Sequence, residues 1–294
     1  MNNKCFPILS CLAFLLTACT NDAGILERQQ IRVVSYFEDG YTKVGYTQSE
    51  SALVPQWEAG DRVSLFFDGQ THHYVATDSG LQTEFVPATP ADELNGIPEN
   101  TVIYGVYPDL EITNNAVVVT NGPSGFIFEE KDRIVFAYNY MRGAGVVKDG
   151  VINIGFRHIF SYLKVIIPEE FLSVAGVSGI CLDFSDPYLI LSYAQYNLSS
   201  LSFSEMAGVN AQTNWHFLYT QDGEFYNKGF LYFPITPGVY KNLEIEVRPD
   251  GYPPYHYQTE LVEFVPNKIY VLDPVRSIIY EEQGDVSDMT IVKW

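Results

Sequence analysis

The sequence predicts an all-β protein built from β-sandwiches, and three observations support this prediction. Apolar and polar side chains alternate with a period of two, most clearly in residues 152–157 and 243–248. Asp-Gly and Asn-Gly pairs, which tolerate positive φ and favour hairpin turns, recur along the chain. No amphipathic segment longer than about 12 residues has helical spacing. Short strands separated by frequent turn signals are typical of β-sandwiches and β-barrels.

The same pattern places individual elements. The clearest hairpin joins residues 146–148 to residues 151–152 through Asp149-Gly150, because two-residue turns of this kind match the twist of paired strands. Short helical turns are expected near residues 168–175 and 202–208. Further strands are expected at residues 31–37, 63–67, 101–107, 116–120 and 230–235.

The N-terminus has the pattern of an export signal. Lys4 precedes an apolar stretch at residues 6–16, which is the length of a signal-peptide core and too short to span a bilayer. Leu16-Thr17-Ala18-Cys19 follows and resembles the lipobox of bacterial lipoproteins. We therefore expect a signal peptide at residues 1–18 and lipid attachment at Cys19, with an ordinary secretory signal as the alternative. Several acyl chains on one cysteine anchor a protein more firmly than one chain does.

Charge and cysteine content narrow the class of protein further. The chain has 294 residues and a net charge of −19, so nucleic-acid binding through phosphate contacts is not expected. This length allows one large domain or two modest ones. Cys5 and Cys11 lie in the signal peptide and Cys19 is assigned to lipid, which leaves only Cys181. No intrachain disulfide is then available, and Cys181 is expected to be a small buried residue.

No motif in the sequence carries a recognisable catalytic or metal site. No nucleophile elbow, phosphate-binding loop or dinucleotide fingerprint occurs, so we expect no enzyme activity, no cofactor and no metal. His72 and His73 are adjacent on a strand, which directs them to opposite faces. His158 is expected to be buried and hydrogen-bonded to a backbone group. A glycosidase remains the enzymatic alternative, since two carboxylates about 5–9.5 Å apart could come from distant positions.

Four segments resemble motifs of the fimbrillin-like lipoproteins of Bacteroidetes. Residues 57–65 (WEAGDRVSL) are similar to a W-x-x-G-D-x-V-x-L segment, and residues 156–165 (FRHIFSYLKV) to an F-x-H-x-x-S-x-L-x-V strand. Residues 102–108 (VIYGVYP) resemble a strand that ends in Tyr-Pro, and residues 136–138 (FAY) resemble the region before the histidine strand. With the lipobox, the resemblance extends over residues 16–170.

The resemblance implies two tandem transthyretin-like β-sandwich domains, at residues 31–150 and 151–294, after a lipidated tether at residues 19–30. It also implies a subunit of type V fimbriae at the outer membrane. Subunits of this family are cut by a trypsin-like protease near the N-terminus, for which Arg28 and Arg32 are the candidates here. Removal of the first strand would leave a groove that another subunit fills, which repairs unpaired backbone groups and exposed core together.

The last residues are the candidate donor strand or, equally, the last strand of their own domain. Among the expected partners are other fimbrial subunits, the membrane through lipid, and a host protein or glycan. The alternative function is a surface glycan-binding lipoprotein with aromatic platforms at Trp215, Tyr252, Tyr255 and Tyr257. Stalk, anchor and tip roles remain open at this point. The candidate donor strand comprises Met289, Thr290, Ile291, Val292 and Trp294.

Overall fold

A computed structural model describes the backbone and side chains of residues 31–37, 57–120, 140–166, 181–208, 233–248 and 253–273. For residues 45–49, 52–56, 127–130, 133–136, 179–180, 215–217, 230–232, 249, 278–281 and 290–292 it describes the backbone alone. The signal peptide, Cys19, Arg28 and the turn expected at residues 168–175 lie outside these ranges.

The described part of the chain is almost entirely β-structure, as the sequence predicts. Its helical content there is one 3-10 turn at Pro90–Asp92. The strands, in chain order, are β1 (Arg32–Phe37), β2 (Gly45–Ser49), β3 (Ala52–Gln56), β4 (Arg62–Phe67), β5 (Gln70–Ala76), β6 (Thr83–Pro87), β7 (Val102–Tyr107), β8 (Ala116–Val119), β9 (Ile127–Glu130), β10 (Arg133–Phe136), β11 (Met141–Lys148), β12 (Val151–His158), β13 (Ser161–Ile166), β14 (Gly179–Phe184), β15 (Leu191–Asn197), β16 (Ser202–Gly208), β17 (Trp215–Phe217), β18 (Phe230–Ile235), β19 (Gly238–Pro249), β20 (Tyr255–Phe264), β21 (Ile269–Asp273), β22 (Ile278–Glu281) and β23 (Thr290–Val292).

The first sheet closes on itself into a barrel with the strand order β1-β12-β11-β7-β4-β5-β6. Closure depends on β1, which pairs in parallel with β12 and antiparallel with β6. The predicted Asp149-Gly150 hairpin is present, with both residues at positive φ, and it joins β11 to β12. The boundary expected at residue 150 therefore falls between the two strands of one hairpin.

The barrel core is built around Trp57, which is fully buried. Its ring stacks on Phe37, with the ring centroids 4.8 Å apart, and meets Phe85 and Phe156 edge-on. The motif around Trp57 also forms the turn that follows it: Gly60 has φ +94°, and the Asp61 carboxylate accepts a hydrogen bond from the Glu58 amide. Three residues of the W-x-x-G-D motif thus serve packing and turn formation rather than chemistry.

Two further sheets enclose the second core. One has the order β18-β13-β21-β22-β23 and the other β17-β14-β19-β20. Apolar side chains from both sheets meet in one cluster, including Leu163 and Phe233 from the first and Leu182, Ile245 and Phe264 from the second. The C-terminal region is therefore a sandwich of two packed sheets, as alternation in β19 predicted.

A three-stranded sheet, with the order β16-β15-β8, packs at the junction of the barrel and the sandwich. It buries Ala194 and Tyr196 against Phe66 and Phe160. The helical turn expected at residues 202–208 is wrong, because this segment is strand β16 and pairs with β15. Pairing with a neighbouring strand overrides the weak helical preference of a Glu-Met-Ala sequence.

Candidate functional site

Strand β1 closes the barrel and covers part of its core. Val33 and Ser35 point into the barrel and are almost completely buried, and Phe37 covers Trp57. Without β1, strands β12 and β6 would each lose a hydrogen-bonding neighbour and the aromatic core would meet water. An extended segment from another chain could restore both sets of contacts.

Arg32, one of the two candidate cleavage sites, is the first residue of β1. Its amide donates to the Gly150 carbonyl at 3.0 Å, and its Nε donates to the Glu84 carboxylate at 2.9 Å. The peptide bond that follows Arg32 therefore lies within the paired wall of the barrel. Proteases cut exposed, locally unpaired chain far more readily than paired strands. Arg32 is therefore poorly placed for proteolysis while β1 is paired, and Arg28 lies outside the described residues.

The candidate donor strand is only partly described. The backbone of Thr290–Val292 forms β23, which pairs antiparallel with Glu281, Tyr280 and Ile279 of β22. It lies at the end of the sheet order and is three residues long. Met289 and Trp294 lie outside the described residues. A three-residue pairing at a sheet edge is a weak attachment, and the donation of this segment stays a proposal.

Asp109 is the centre of a polar network on the barrel surface that sequence reasoning missed. Its carboxylate accepts hydrogen bonds from Arg62 Nε at 2.9 Å, Ser64 Oγ at 2.7 Å and His73 Nδ1 at 2.5 Å. Burial raises the pKa of Asp109, but the hydrogen bonds from His73, Ser64 and Arg62 outweigh it and lower the pKa below its ordinary value. The Ser64 hydroxyl also accepts from the Leu110 amide at 2.8 Å. The network fixes the segment after β7 to the barrel.

This network is not a catalytic triad, although it contains a serine, a histidine and an aspartate. The Ser64 hydroxyl donates a hydrogen bond to Asp109. Its O–H group is therefore not directed at a histidine base, as a catalytic serine would require. His72 and His73 have different surroundings, as expected for neighbours on one strand: His73 contacts Asp109, and His72 approaches the backbone of Asp92. Within the described residues, no three potential metal ligands are grouped.

His158 joins the barrel to the sandwich. It is buried, as predicted, and the hydroxyl of Tyr162 lies 3.2 Å from its Nδ1. The His158 amide donates to Asn267 Oδ1 at 3.1 Å, and the Asn267 amide donates to the Phe160 carbonyl at 2.9 Å. Ser161 Oγ donates to the Val265 carbonyl at 2.6 Å. The F-x-H-x-x-S motif therefore attaches the β20–β21 turn to the end of the barrel.

The aromatic platform expected at residues 252–257 is not formed as predicted. Tyr257 is buried in the sandwich core, where burial raises the pKa of its hydroxyl, and Tyr255 packs against the same core. The side chains of Trp215 and Tyr252 lie outside the described residues. A period-two strand explains the outcome, because both tyrosines point to the inner face of β20. Cys181 is fully buried in β14, as predicted.

Comparison with known proteins supplies a fold relationship. A candidate cell adhesion protein from Bacteroides uniformis ATCC 8492 matches with a TM-score of 0.50 and 13% identity, over 89% of this chain and 95% of its own. One from Bacteroides ovatus ATCC 8483 matches with a TM-score of 0.50 and 10% identity, over 90% and 96%. The chain has the fold of these cell adhesion proteins. No protein-family model matches, and no curated protein does either.

A fimbrial assembly protein from Parabacteroides distasonis ATCC 8503 is also similar, with 11% identity and a TM-score of 0.42 over 89% of this chain and 98% of its own. The fold shared with Bacteroidetes cell adhesion proteins agrees with the relationship expected from the sequence motifs. Among the described residues, no helix is long and apolar enough to cross a membrane.

Proposed function

We propose that the chain is a structural or adhesive subunit of a cell-surface fimbria, exported as a lipoprotein through Cys19 and located at the outer membrane. The observation that carries this proposal is the fold that this chain shares with the two Bacteroides cell adhesion proteins. The similarity covers 89% and 90% of this chain and 95% and 96% of theirs. The lipobox and the four fimbrillin-like segments support it from the sequence. The polar networks around Asp109 and His158 hold segments of the fold together, which agrees with a structural role.

We further propose that assembly uses strand exchange, with residues 289–294 as the donor. This segment contains the apolar residues Met289, Ile291, Val292 and Trp294, which a groove in a neighbouring subunit would bury. Burial of apolar surface stabilises by about 25 cal/mol per Å². The N–H and C=O groups of the added strand would also form hydrogen bonds with the neighbouring strands of the groove.

Cleavage after Arg28 or Arg32 leaves Val33–Phe37 in place, and this bears on the position in a filament. The barrel remains closed as long as these residues pair with β12 and β6. A closed barrel offers no acceptor groove between those two strands. A subunit processed only at Arg28 or Arg32 would therefore stand at one end of a filament, as an anchor or a tip.

Mass spectrometry of the native protein from sheared filaments and from membranes tests the proposal. We expect either a lipidated N-terminus at Cys19 or a chain that begins at residue 29. Cys19→Ala should remove the protein from the membrane fraction, whereas Cys11→Ala, a matched change inside the signal peptide, should not. Equal membrane retention of the two variants, or absence of the chain from every surface fraction, would refute the proposal.

A further inference from the structure

A cavity of about 500 Å³ lies where the barrel, the three-stranded β16-β15-β8 sheet and the sandwich meet. Arg142 and Arg157 line it from the barrel, Phe203 from β16, and Pro237 and Pro266 from the turns of the sandwich. Its volume falls within the range of about 300–1,000 Å³ that is usual for small-ligand sites. Such sites also occur preferentially where structural units meet.

Two like charges stand directly opposite each other in this cavity wall. Arg142 of β11 and Arg157 of β12 are register partners across the hairpin, so their side chains leave the same face of the sheet. Directly opposed like charges destabilise a strand pair. None of the described residues lining the cavity is acidic, although the chain holds 36 acidic residues against 17 lysines and arginines. The described lining thus brings two guanidinium groups together in a chain that is anionic as a whole.

Tyr196 and Tyr104 are neighbours of the arginine pair. Tyr196 lines the same cavity, and burial raises the pKa of its hydroxyl while Arg142 and Arg157 both lower it. Arg142 is held by its Nε, which donates to the Leu198 carbonyl at 3.3 Å, and its guanidinium carbon lies 5.6 Å from the centre of the Tyr104 ring. Fixed guanidinium groups bind carboxylates with little loss of side-chain freedom.

Exposed apolar side chains also line the cavity, and we call this set the apolar rim. Five of the twelve exposed large apolar side chains in the described part of the chain line this one cavity. Exposed apolar residues that cluster in this way mark interaction sites, whereas scattered ones do not. The rim residues are between 41% and 60% exposed, and they are Tyr188, Leu201, Met206, Val239 and Val265.

We propose that this cavity binds the terminal acidic sugar of a glycan chain. Arg142 and Arg157 would hold the sugar carboxylate, and the Tyr188 ring with the aliphatic rim would cover the apolar face of the sugar ring and its N-acyl group. The inference gives the proposed adhesive function a ligand class, and it rests on that function for its biological setting. It also replaces the aromatic platform expected at residues 252–257 with a different site.

The form of the cavity favours a chain end over an extended peptide. It is lined by the barrel, by β15–β16 and by two turns of the sandwich, and its volume of about 500 Å³ suits a small ligand such as a terminal sugar. Strands β11 and β12 are each paired on both edges and offer a peptide no ladder to join. A peptide that binds here would have to do so by its acidic side chains alone.

Calorimetric titration of the purified full-length chain, released from lipid by Cys19→Ala, tests the inference. The probes are 3′-sialyllactose and a glucuronate-terminated disaccharide, with lactose as the neutral control and a tetraglutamate peptide as the acidic control. We expect at least one acidic sugar to bind ten times more tightly than lactose, with an affinity that falls as salt is added. No preference over lactose for either acidic sugar, or equal binding of tetraglutamate, overturns the inference.

Matched variants locate the site. Arg157→Gln should weaken acidic-sugar binding at least tenfold, and Tyr188→Ala severalfold. Arg32→Gln removes an exposed arginine that pairs with Val151, at the end of β12 opposite to Arg157, and should leave binding unchanged. Unchanged thermal midpoints show that the variants fold, and an Arg157→Gln protein that is folded and binds normally contradicts the assignment. Incorporation of the same variants into filaments is measured separately, so failure of sugar binding leaves the proposed assembly role testable by itself.

Discussion

The barrel and the sandwich differ in whether their sheets end in strands with an unpaired edge. In the barrel, β1 pairs on both sides and the sheet closes, so none of its seven strands ends the sheet. In the sandwich, the described sheets begin and end at β18, β23, β17 and β20. Unpaired strand edges invite pairing with other chains, and closure abolishes them. Under the proposed strand exchange, a new strand could pair with the C-terminal region as it stands, but could join the barrel only after β1 departs.

We expect the largest loss of stability from a substitution in the barrel core. Trp57→Ala removes the ring that contacts Phe37, Phe85 and Phe156, and we expect it to lower the free energy of unfolding by about 3–5 kcal/mol. Chemical denaturation measures this change. Tyr36→Ala, at a position 37% exposed on the same barrel, is the control and should cost less than about 1 kcal/mol. Similar losses for the two variants would mean that the barrel core does not carry the stability of this region.

A smaller effect is expected where strands β11 and β12 approach closely. A Cβ added at Gly145 would lie 2.5 Å from the Asn153 carbonyl oxygen and 2.7 Å from Ile152 Cγ2. We therefore expect Gly145→Ala to lower the free energy of unfolding by about 1–3 kcal/mol and to speed amide exchange in this hairpin. Val146→Ala, at the neighbouring position with an exposed side chain, should change exchange little. Normal protection in Gly145→Ala would contradict the close packing described.

The Asp109 network should make barrel stability depend on acid pH. The folded-state pKa of Asp109 lies below the ordinary value of 3.8, so the folded protein releases this proton more readily than the unfolded chain. Its contribution is thus fully present above pH 3.8 and is lost as the pH falls through the folded-state pKa.

Asp109→Asn tests this dependence. It should cost about 1–2 kcal/mol at pH 7 and flatten the acid limb of a plot of stability against pH. Asp68→Asn, at an exposed turn position, serves as the control and should preserve the slope. An unchanged acid limb in Asp109→Asn would rule out this carboxylate as its source.

The smallest effect is expected on the open face of the sandwich. Arg248 pairs with Asp183 and Glu246, but its side chain is 42% exposed. Exposed ion pairs contribute only about 0–1 kcal/mol, because water solvates the charges well. Arg248→Ala should therefore shift the denaturation midpoint slightly, and added salt should reduce the shift. A loss above about 2 kcal/mol would show that this pair is more important than its exposure indicates.

Local elements of this fold were predictable from the sequence, and one element of the candidate site was as well. The Asp149-Gly150 turn defines the register of β11 and β12, and counting outward from it places Arg142 opposite Arg157. Sequence reasoning identified the hairpin but did not follow it to this charge pair. Asp109 and Asn267 were beyond prediction, because their partners come from strands far away in the chain.

By itself, the sequence determined that the protein is made of strands, where several of them begin and end, and that Cys181 and His158 are buried. These properties depend on alternation and turn chemistry within a few residues. Only the tertiary structure decided that β1 inserts between β6 and β12 and closes the barrel, and that a cavity with paired arginines forms at the junction. Pairing across more than one hundred residues depends on how complete sheets pack together, and no local pattern encodes that arrangement.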